Sequence, residues 1–499
     1  DIEIERTNQA LASEGIKGAL GVFDPVFRYT PRYDHRNQPT PSPLAGVNGI
    51  LADRVNTQNA TILGHTPWWG STASLSFDNF RQRTNNPFAS LNPYSSSQLS
   101  FNFTQPLLRG RLLDRERNEI RIRRKQLNIS DTDFQLRLID IVTRVEQSYW
   151  DLVAARQDVE VTGQAVALAR EQYARNQRMI DSGSLAPIEL SASKAELERR
   201  LDLNYASIGM LSEVENNLKT LLAPNRTANI WGDQIIPTDR KSNDIEIPAD
   251  VREAATQAIS KRPELRQLAM RMETNGYDQQ LARELLKPKV DLVASYINAG
   301  LGGASSNAPN PFTESSLAQV QRLNELSRLA GLAPLASANS FGAPAGLIGG
   351  YGTALSGVFG GNFQTAVVGV SLDLNIRNRT AKSQEVSAAI QGKRLKLEQT
   401  RWEQLIEAQV RNAMQAIETA KQRIASAAAG EVAAKEKLDS ETRLFQTGES
   451  TNFFVLTRQN EYLDARRRAV VAQLERNKAN ARLEQAIGST LAVFEISVR

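Results

Sequence analysis

The chain repeats itself. Phe23-Asp-Pro-Val-Phe-Arg-Tyr-Thr-Pro-Arg-Tyr33 returns as Leu286-Lys-Pro-Lys-Val-Asp-Leu-Val-Ala-Ser-Tyr296 at an offset of 263. Pro25 matches Pro288, Phe27 matches Val290, Tyr29 matches Leu292 and Tyr33 matches Tyr296. Farther on, Val145, Leu152, Val159, Val166, Tyr173 and Ile180 stand seven apart. At an offset of 265 they meet Val410, Ile417, Ile424, Glu431, Leu438 and Phe445, and Glu431 alone breaks the apolar pattern. Two heptad runs in matching register, each tied to a matching strand, mark a gene duplication. The fold must therefore be one that two similar halves build together.

Each half reads in the order helix, strand, long loop, strand, very long helix, tight turn, helix. The first half places these at 1–22, 24–34, 35–95, 96–105, 107–181, a turn at Gly183, and 186–221. The second places them at 250–286, 288–297, 298–362, 364–374, 380–446, a turn at Gly448, and 451–490. The chain thus divides into a first repeat over 1–222, a connector over 223–249 punctuated by Pro224, Pro237 and Pro248, and a second repeat over 250–499. The strands alternate: Leu99, Phe101 and Phe103 oppose Ser100, Asn102 and Thr104. Ala366, Val368, Val370, Leu372 and Leu374 oppose Gly369, Ser371 and Asp373 in the same way. Such alternation suits a strand between lipid and water, and equally a soluble sheet with one wet face. Pro31 is a misfit, because proline cannot donate to a ladder.

Helix lengths constrain the packing. One helix over 107–181 would run roughly 110 Å, whereas 186–221 covers roughly 54 Å and 250–286 roughly 55 Å. Two short helices can therefore stack end to end beside a long one, with 223–249 bulging out where they meet. The chain opens at Asp1 and lacks a counterpart of 250–263, so an N-terminal segment is expected to precede it.

Composition excludes several classes. The chain has no cysteine, so disulfides, cysteine nucleophiles and thiolate metal sites are absent. His35 and His65, its two histidines, lie in polar, loop-like sequence. A net charge of +5 on 60 basic and 55 acidic residues points to no particular anionic partner. No stretch approaches the roughly 18 apolar residues of a membrane helix, so a membrane protein of this sequence would have to be a β-barrel. No phosphate-binding loop, zinc-protease motif or nucleophile elbow is present. The glycines at 349, 350, 352, 360 and 361 read as flexible loop, and Glu196 and Glu198 as a solvated face among Lys194, Arg199 and Arg200. No enzyme activity and no cofactor or metal is expected.

Phe103-Thr-Gln-Pro-Leu-Leu-Arg-Gly110 at one strand-to-helix junction and Leu374-Asn-Ile-Arg-Asn-Arg379 at the other resemble the TolC-like outer-membrane factor family. So do the helical turns Arg178-Met-Ile-Asp-Ser-Gly-Ser-Leu-Ala-Pro-Ile-Glu-Leu190 and Arg443-Leu-Phe-Gln-Thr-Gly-Glu-Ser-Thr-Asn-Phe-Phe-Val455. The resemblance covers nearly the whole chain. It implies a helix-dominated α+β protomer with four strands, assembling as a homotrimeric twelve-stranded β-barrel continuous with a long periplasmic α-barrel. It implies a channel in the bacterial outer membrane, serving a tripartite efflux or type I secretion system with a periplasmic adaptor and an inner-membrane pump. The loops 35–95 and 298–362 would face the exterior, and Ser315 to Leu329 reads as a helix within the second.

The same resemblance assigns working ends. Adaptor docking carries over to Ser182, Gly183, Ser184 and Leu185 at the first tip and to Thr447, Gly448, Glu449 and Ser450 at the second. Arg178 and Arg443, each five residues before the glycine, are placed to pair across the tips. An acidic ring six and nine residues past the second tip glycine is replaced by Phe454 and Thr457, with Phe453 adjacent. Phe453 and Phe454 either pack between helices, or one of them narrows the pore; Glu189 is the acidic candidate near the same level.

Two rivals belong to other classes. Arg115, Arg117, Arg121, Arg123, Arg124 and Lys125 before a heptad run imitate a basic zipper, but Asp114, Glu116 and Glu119 interrupt them and no nucleic acid is expected. In a membrane setting this set and its counterpart, Arg377, Arg379, Lys382, Lys393, Arg394 and Lys396, are a solvated face or touch anionic head groups. A periplasmic coiled-coil scaffold with soluble hairpins is the other rival.

Overall fold

The computed structural model describes residues 2–41, 48–239, 248, 250–306, 311–335 and 343–497. Helix α1 (Ile2–Leu20) leads into strands β1 (Val26–Pro39), β2 (Ile50–His65), β3 (Thr72–Thr84) and β4 (Leu91–Pro106). Helices α2 (Arg115–Asp181), α3 (Ile188–Leu222), α4 (Val251–Lys261) and α5 (Pro263–Leu286) follow, then β5 (Lys289–Ser305). Helices α6 (Pro311–Leu329) and α7 (Tyr351–Gly360) precede β6 (Phe363–Asp373), and α8 (Arg379–Thr447), α9 (Asn452–Ile487) and α10 (Thr490–Val493) complete the chain. Two compact units result: Asp1–Ala12 with Gln126–Glu273 and Gly392–Arg499, and Ser13–Lys125 with Thr274–Gln391.

The second unit holds one antiparallel sheet in the order β1-β2-β3-β4-β5-β6. Among the described residues six strands replace the four expected. The region 35–95, read as a loop, contains β2 and β3, which pair with β1 and β4 along nearly their whole lengths. Pro31 is tolerated because β1 is an edge, paired among the described residues only with β2. The region 298–362 is likewise no plain loop: it carries α6, bracketing the expected helix, and α7, which lies on β5 and β4. Two glycines of β5 make that seat. A Cβ on Gly300 would stand 1.8 Å from the Ala354 carbonyl oxygen, and one on Gly302 2.6 Å from that of Gly350.

The long helices start and stop for local reasons. α2 begins at Arg115, eight residues later than expected, because Gly110 turns the chain at φ 86° and Asp114 caps the helix, accepting from the Arg117 amide at 2.7 Å. Its 67 residues correspond to about 100 Å of helix. The helix expected over 250–286 is broken into α4 and α5. Arg262 precedes Pro263 and is extended (ψ 127°), since the proline ring crowds a helical residue before it. Gly488, at φ 79°, ends α9.

In the first unit parts of the heptad seams are core, and other positions such as Val145, Val159 and Ile424 are half-buried. Leu152 is fully buried in α2, while Ile406, Val410 and Ile417 of α8 pack with Ala254 and Ala258 of α4 and Ala479, Leu483 and Ile487 of α9. Of the connector 223–249, residues 240–247 and 249 lie outside the described set. The rest is tied down: the Ile235 amide donates to Glu215, its carbonyl accepts from Arg156 at 2.6 Å, and Tyr149 donates to Asp239 at 3.1 Å.

This core holds an electrostatic conflict. Glu484 of α9 is pushed up to about 7, first by burial and then by the charge of Glu146 on α2; burial also raises Glu146. One carboxylate oxygen of each is buried without a hydrogen-bond partner among the described residues. A carboxyl raised in the folded state binds more protons folded than unfolded, so stability falls as pH climbs from the ordinary glutamate range through 7. Glu484→Gln should therefore raise Tm at pH 8 and flatten the Tm profile between pH 5 and 8. An unchanged profile in calorimetry would place the conflict elsewhere.

Candidate functional site

Two regions carry the arrangement a function needs: the faces of the sheet and the helical turns of the first unit. On the sheet, pairing aligns Phe27, Ile62, Leu75, Phe101, Tyr296 and Ala366 in one row that crosses all six strands. The next row toward the helices is Gly64, Ala73, Phe103, Ala294 and Val368. Side chains alternate across a strand, so one face is apolar along these rows. The opposite face carries Arg28, Thr61, Ser76 and Ser100 in one row and Thr30, Asn59, Asp78 and Gln98 in the next. Among the described residues β1 and β6 each pair on one side only, and their residues are exposed almost without exception. Farther along the apolar face the sheet itself turns polar, and there α7 covers Ser97 and Asn79, the latter accepting from the Tyr351 hydroxyl at 3.2 Å.

The two helical turns share one geometry. At the first, the Gly183 amide donates to the Ile180 carbonyl (2.8 Å) and the Ser184 amide to Met179 (2.8 Å). At the second, Gly448 donates to Phe445 (3.2 Å) and Glu449 to Leu444 (2.9 Å). This is the paired-bond helix ending that needs a left-handed residue, and the glycines supply it at φ 77° and 80°. A Cβ on either glycine would meet nothing within 4 Å, so these positions are closed to side chains by conformation, not by space. Ser182 and Thr447 close the turns by donating to the Met179 and Leu444 carbonyls. Ser182, Ser184, Thr447 and Glu449 are exposed, Leu185 is half-buried, and Ser450 donates to Glu441. Arg178 and Arg443 are exposed, and among the described residues neither guanidinium has a partner, so no pairing across the tips occurs within one chain.

The gate candidates divide. Phe453 and Phe454 are 68% and 48% exposed and touch each other edge to face, with ring centres 5.7 Å apart. Neither enters the core of its own chain. Thr457 is half-buried and donates back to the Phe453 carbonyl. Glu189 is not a free acid: it accepts from the Asn452 amide at 3.0 Å.

That bond opens onto a network the sequence did not reveal. Gln172, Asn176, Ser193 and Asn452 are all at least 96% buried, immediately behind the turns. Gln172 donates to Asn176 (2.8 Å) and Asn452 (3.1 Å), and Asn176 donates to Asn452 (3.1 Å) and to Ser193. The duplication offset of 265 carries Asn176 and Ser193 onto Glu441 and Arg458, which face each other at 3.7 Å. The same two positions thus hold a neutral polar contact in one repeat and an ion pair in the other. The basic set before the heptads is partly structural too: Arg117 caps the carbonyls of Gly110 and Arg111 and pairs with Asp114, and Arg123 pairs with Glu119.

The fold combines a sheet with one apolar face and two open edges with duplicated long helical hairpins. The comparisons agree. Residues 71–223 match the family described as Outer membrane efflux protein. No protein of curated function matches the sequence. Among solved structures the chain is similar to the CmeC outer membrane channel of Campylobacter jejuni, at 13% identity and TM-score 0.65, covering 98% of this chain and 83% of that one. It is similar to the MtrE outer membrane channel of Neisseria gonorrhoeae, in its open state, at 15% identity, TM-score 0.61 and coverage of 98% and 86%. It is also similar to the outer membrane protein VceC of Vibrio cholerae, at 12% identity, TM-score 0.62 and coverage of 97% and 92%. The chain thus shares the fold of these outer membrane channels, and part of it matches the outer membrane efflux protein family.

Removing the amide at the centre of the network tests its role. Asn452→Ala leaves buried donors on Gln172 and Asn176 short of an acceptor, at about 1–3 kcal/mol for the group left unsatisfied. Amide exchange should quicken in the turns of α2–α3 and α8–α9 while the sheet stays protected. Unchanged exchange would show that the network does not hold the tips.

Proposed function

We propose that this chain is one protomer of a homotrimeric outer-membrane channel that conducts substrate from a periplasmic adaptor and inner-membrane pump to the exterior, without catalysis. The observation that carries the proposal is the sheet: an unbroken apolar row on one face, polar rows across β1–β4 on the other, and, among the described residues, both edges unpaired. In a bilayer the edges must find partners, and further copies of the chain closing a barrel supply them. Among the described residues no helix is long and apolar enough to cross a membrane, so the sheet is the element left to do so. The family match and the channel neighbours support the outer membrane as its location.

The turns at Gly183 and Gly448 are the docking surface for the adaptor. They present exposed small side chains on a fixed backbone, with Arg178 and Arg443 free to engage an acidic partner. Closing of the pore falls to Phe454, which is exposed on its own chain, projects inward in the assembly and excludes water. Glu189, bonded to Asn452, couples the wall of the first turn to the start of α9; adaptor contact that favours splayed tips would loosen that link and open the channel.

Two experiments test these assignments. Reconstituted in planar bilayers, the protein should form long-lived channels of low conductance, with Phe454→Ala raising the closed-state conductance and Glu189→Gln shifting cation preference. Unaltered conductance in Phe454→Ala would move the constriction elsewhere. Separately, the double variant Gly183→Trp/Gly448→Trp should lose export in cells while still inserting and assembling; sustained export would exclude the tips as the docking site.

A further inference from the structure

We infer that the β2–β3 hairpin crosses the membrane, so that each copy supplies six strands and three copies close an eighteen-stranded barrel with a wide pore. The inference deepens the proposed channel function and rests on its three-chain stoichiometry.

The chain enters β1 from α1, leaves β4 for α2, enters β5 from α5 and leaves β6 for α8, so all four helical connections lie at one end of the sheet. The β2–β3 turn lies at that same end. Leu63 is opposite Val26, His65 is opposite Thr72, and Thr72 is opposite Thr104. Gln105 of β4 donates to the Trp69 carbonyl at 3.0 Å, and a Cβ on Gly70 would stand 2.6 Å from the Gly110 carbonyl, which fixes the turn beside the start of α2. A hairpin extending outward from a membrane barrel would turn at the far end, where residues 85–90 join β3 to β4. This one travels the full height of the sheet and comes back.

Three observations make its two strands part of the lipid-facing wall. The apolar row passes through them without a gap, with Ile62 and Leu75 standing between Phe27 and Phe101. Their opposite face stays polar, with Thr61, Asn59, Ser76 and Asp78. The turn exposes Trp68 and Trp69, at 74% and 61%, as the aromatic belt of a membrane interface requires. β2 and β3 also cannot be shed from the sheet, because among the described residues β1 has no other partner and β4 would lose one side of its ladder.

Strand number sets pore width. With strands about 4.8 Å apart and tilted about 40°, eighteen strands give a backbone diameter of roughly 36 Å, against roughly 24 Å for twelve. The occupant of the exposed edges is then a second copy of this chain, β6 of one meeting β1 of the next.

The cysteine-free sequence permits a clean topology test with two single variants, Trp68→Cys in the β2–β3 turn and Phe88→Cys in the β3–β4 connection. A large membrane-impermeant maleimide should label Phe88→Cys in intact cells, and Trp68→Cys only after the outer membrane is permeabilised. Labelling of both in intact cells would put the hairpin outside and overturn the inference, leaving the channel function standing. Release of the protein from membranes by carbonate would instead end the channel function itself. Electron cryomicroscopy of the detergent-solubilised trimer gives the strand count directly: eighteen in cross-section supports the inference, and twelve refutes it.

Discussion

Everything in this protein depends on the unpaired backbone along β1 and β6. A row of amides and carbonyls left open in hydrocarbon costs several kcal/mol for each group, far more than a small sheet can recover by burying side chains. The exposed edge strands, with Phe27, Tyr29 and Tyr33 on one and Val368, Val370 and Leu372 on the other, cannot be the final state of the chain in a membrane. Assembly is therefore a condition of folding there. The proposed membrane setting also accounts for a sheet rich in half-buried polar residues and poor in a packed interior: lipid would complete its apolar face, and water its polar face.

The helical part obeys a different rule, that of duplicated seams. Two runs of heptads give two similar hairpins, yet the copies have drifted apart where they matter. Both turns use a glycine with positive φ and the same pair of closing hydrogen bonds. Behind them one repeat buries Asn176 and Ser193, while the other sets Glu441 against Arg458. Buried polar contacts fix register between helices better than apolar ones, because a slip leaves them unsatisfied. Asn452 joins the two arrangements, since it lies on α9 yet bonds to residues of α2 and α3.

How much of this the sequence disclosed follows from the strength of each local signal. The turns were legible because a helix end that needs a left-handed residue leaves a glycine, at Gly183 and Gly448, at matching places in two repeats. The seams were legible because 67-residue and 69-residue helices repeat their period many times. β2 and β3 were not, because strands with one wet face carry a weak period-two signal and these are rich in Asn, Thr, Ser and Gln. The Pro67-Trp-Trp-Gly70 turn was their one strong mark. The break at Pro263 had a local cause, the extended backbone that the proline ring imposes on Arg262. Asn452 was hidden because a polar residue beginning a helix ordinarily reads as a cap, whereas here Thr451 occupies that position and Asn452 points inward.

The claim on which the rest stands is that the open sheet closes only by self-association. Native mass spectrometry of the protein extracted from outer membranes into detergent measures this most directly. A particle of three chains, with no folded species of lower mass, is the predicted result. A stable monomer retaining its sheet in detergent would contradict it, because such a chain would have satisfied its edges without partners.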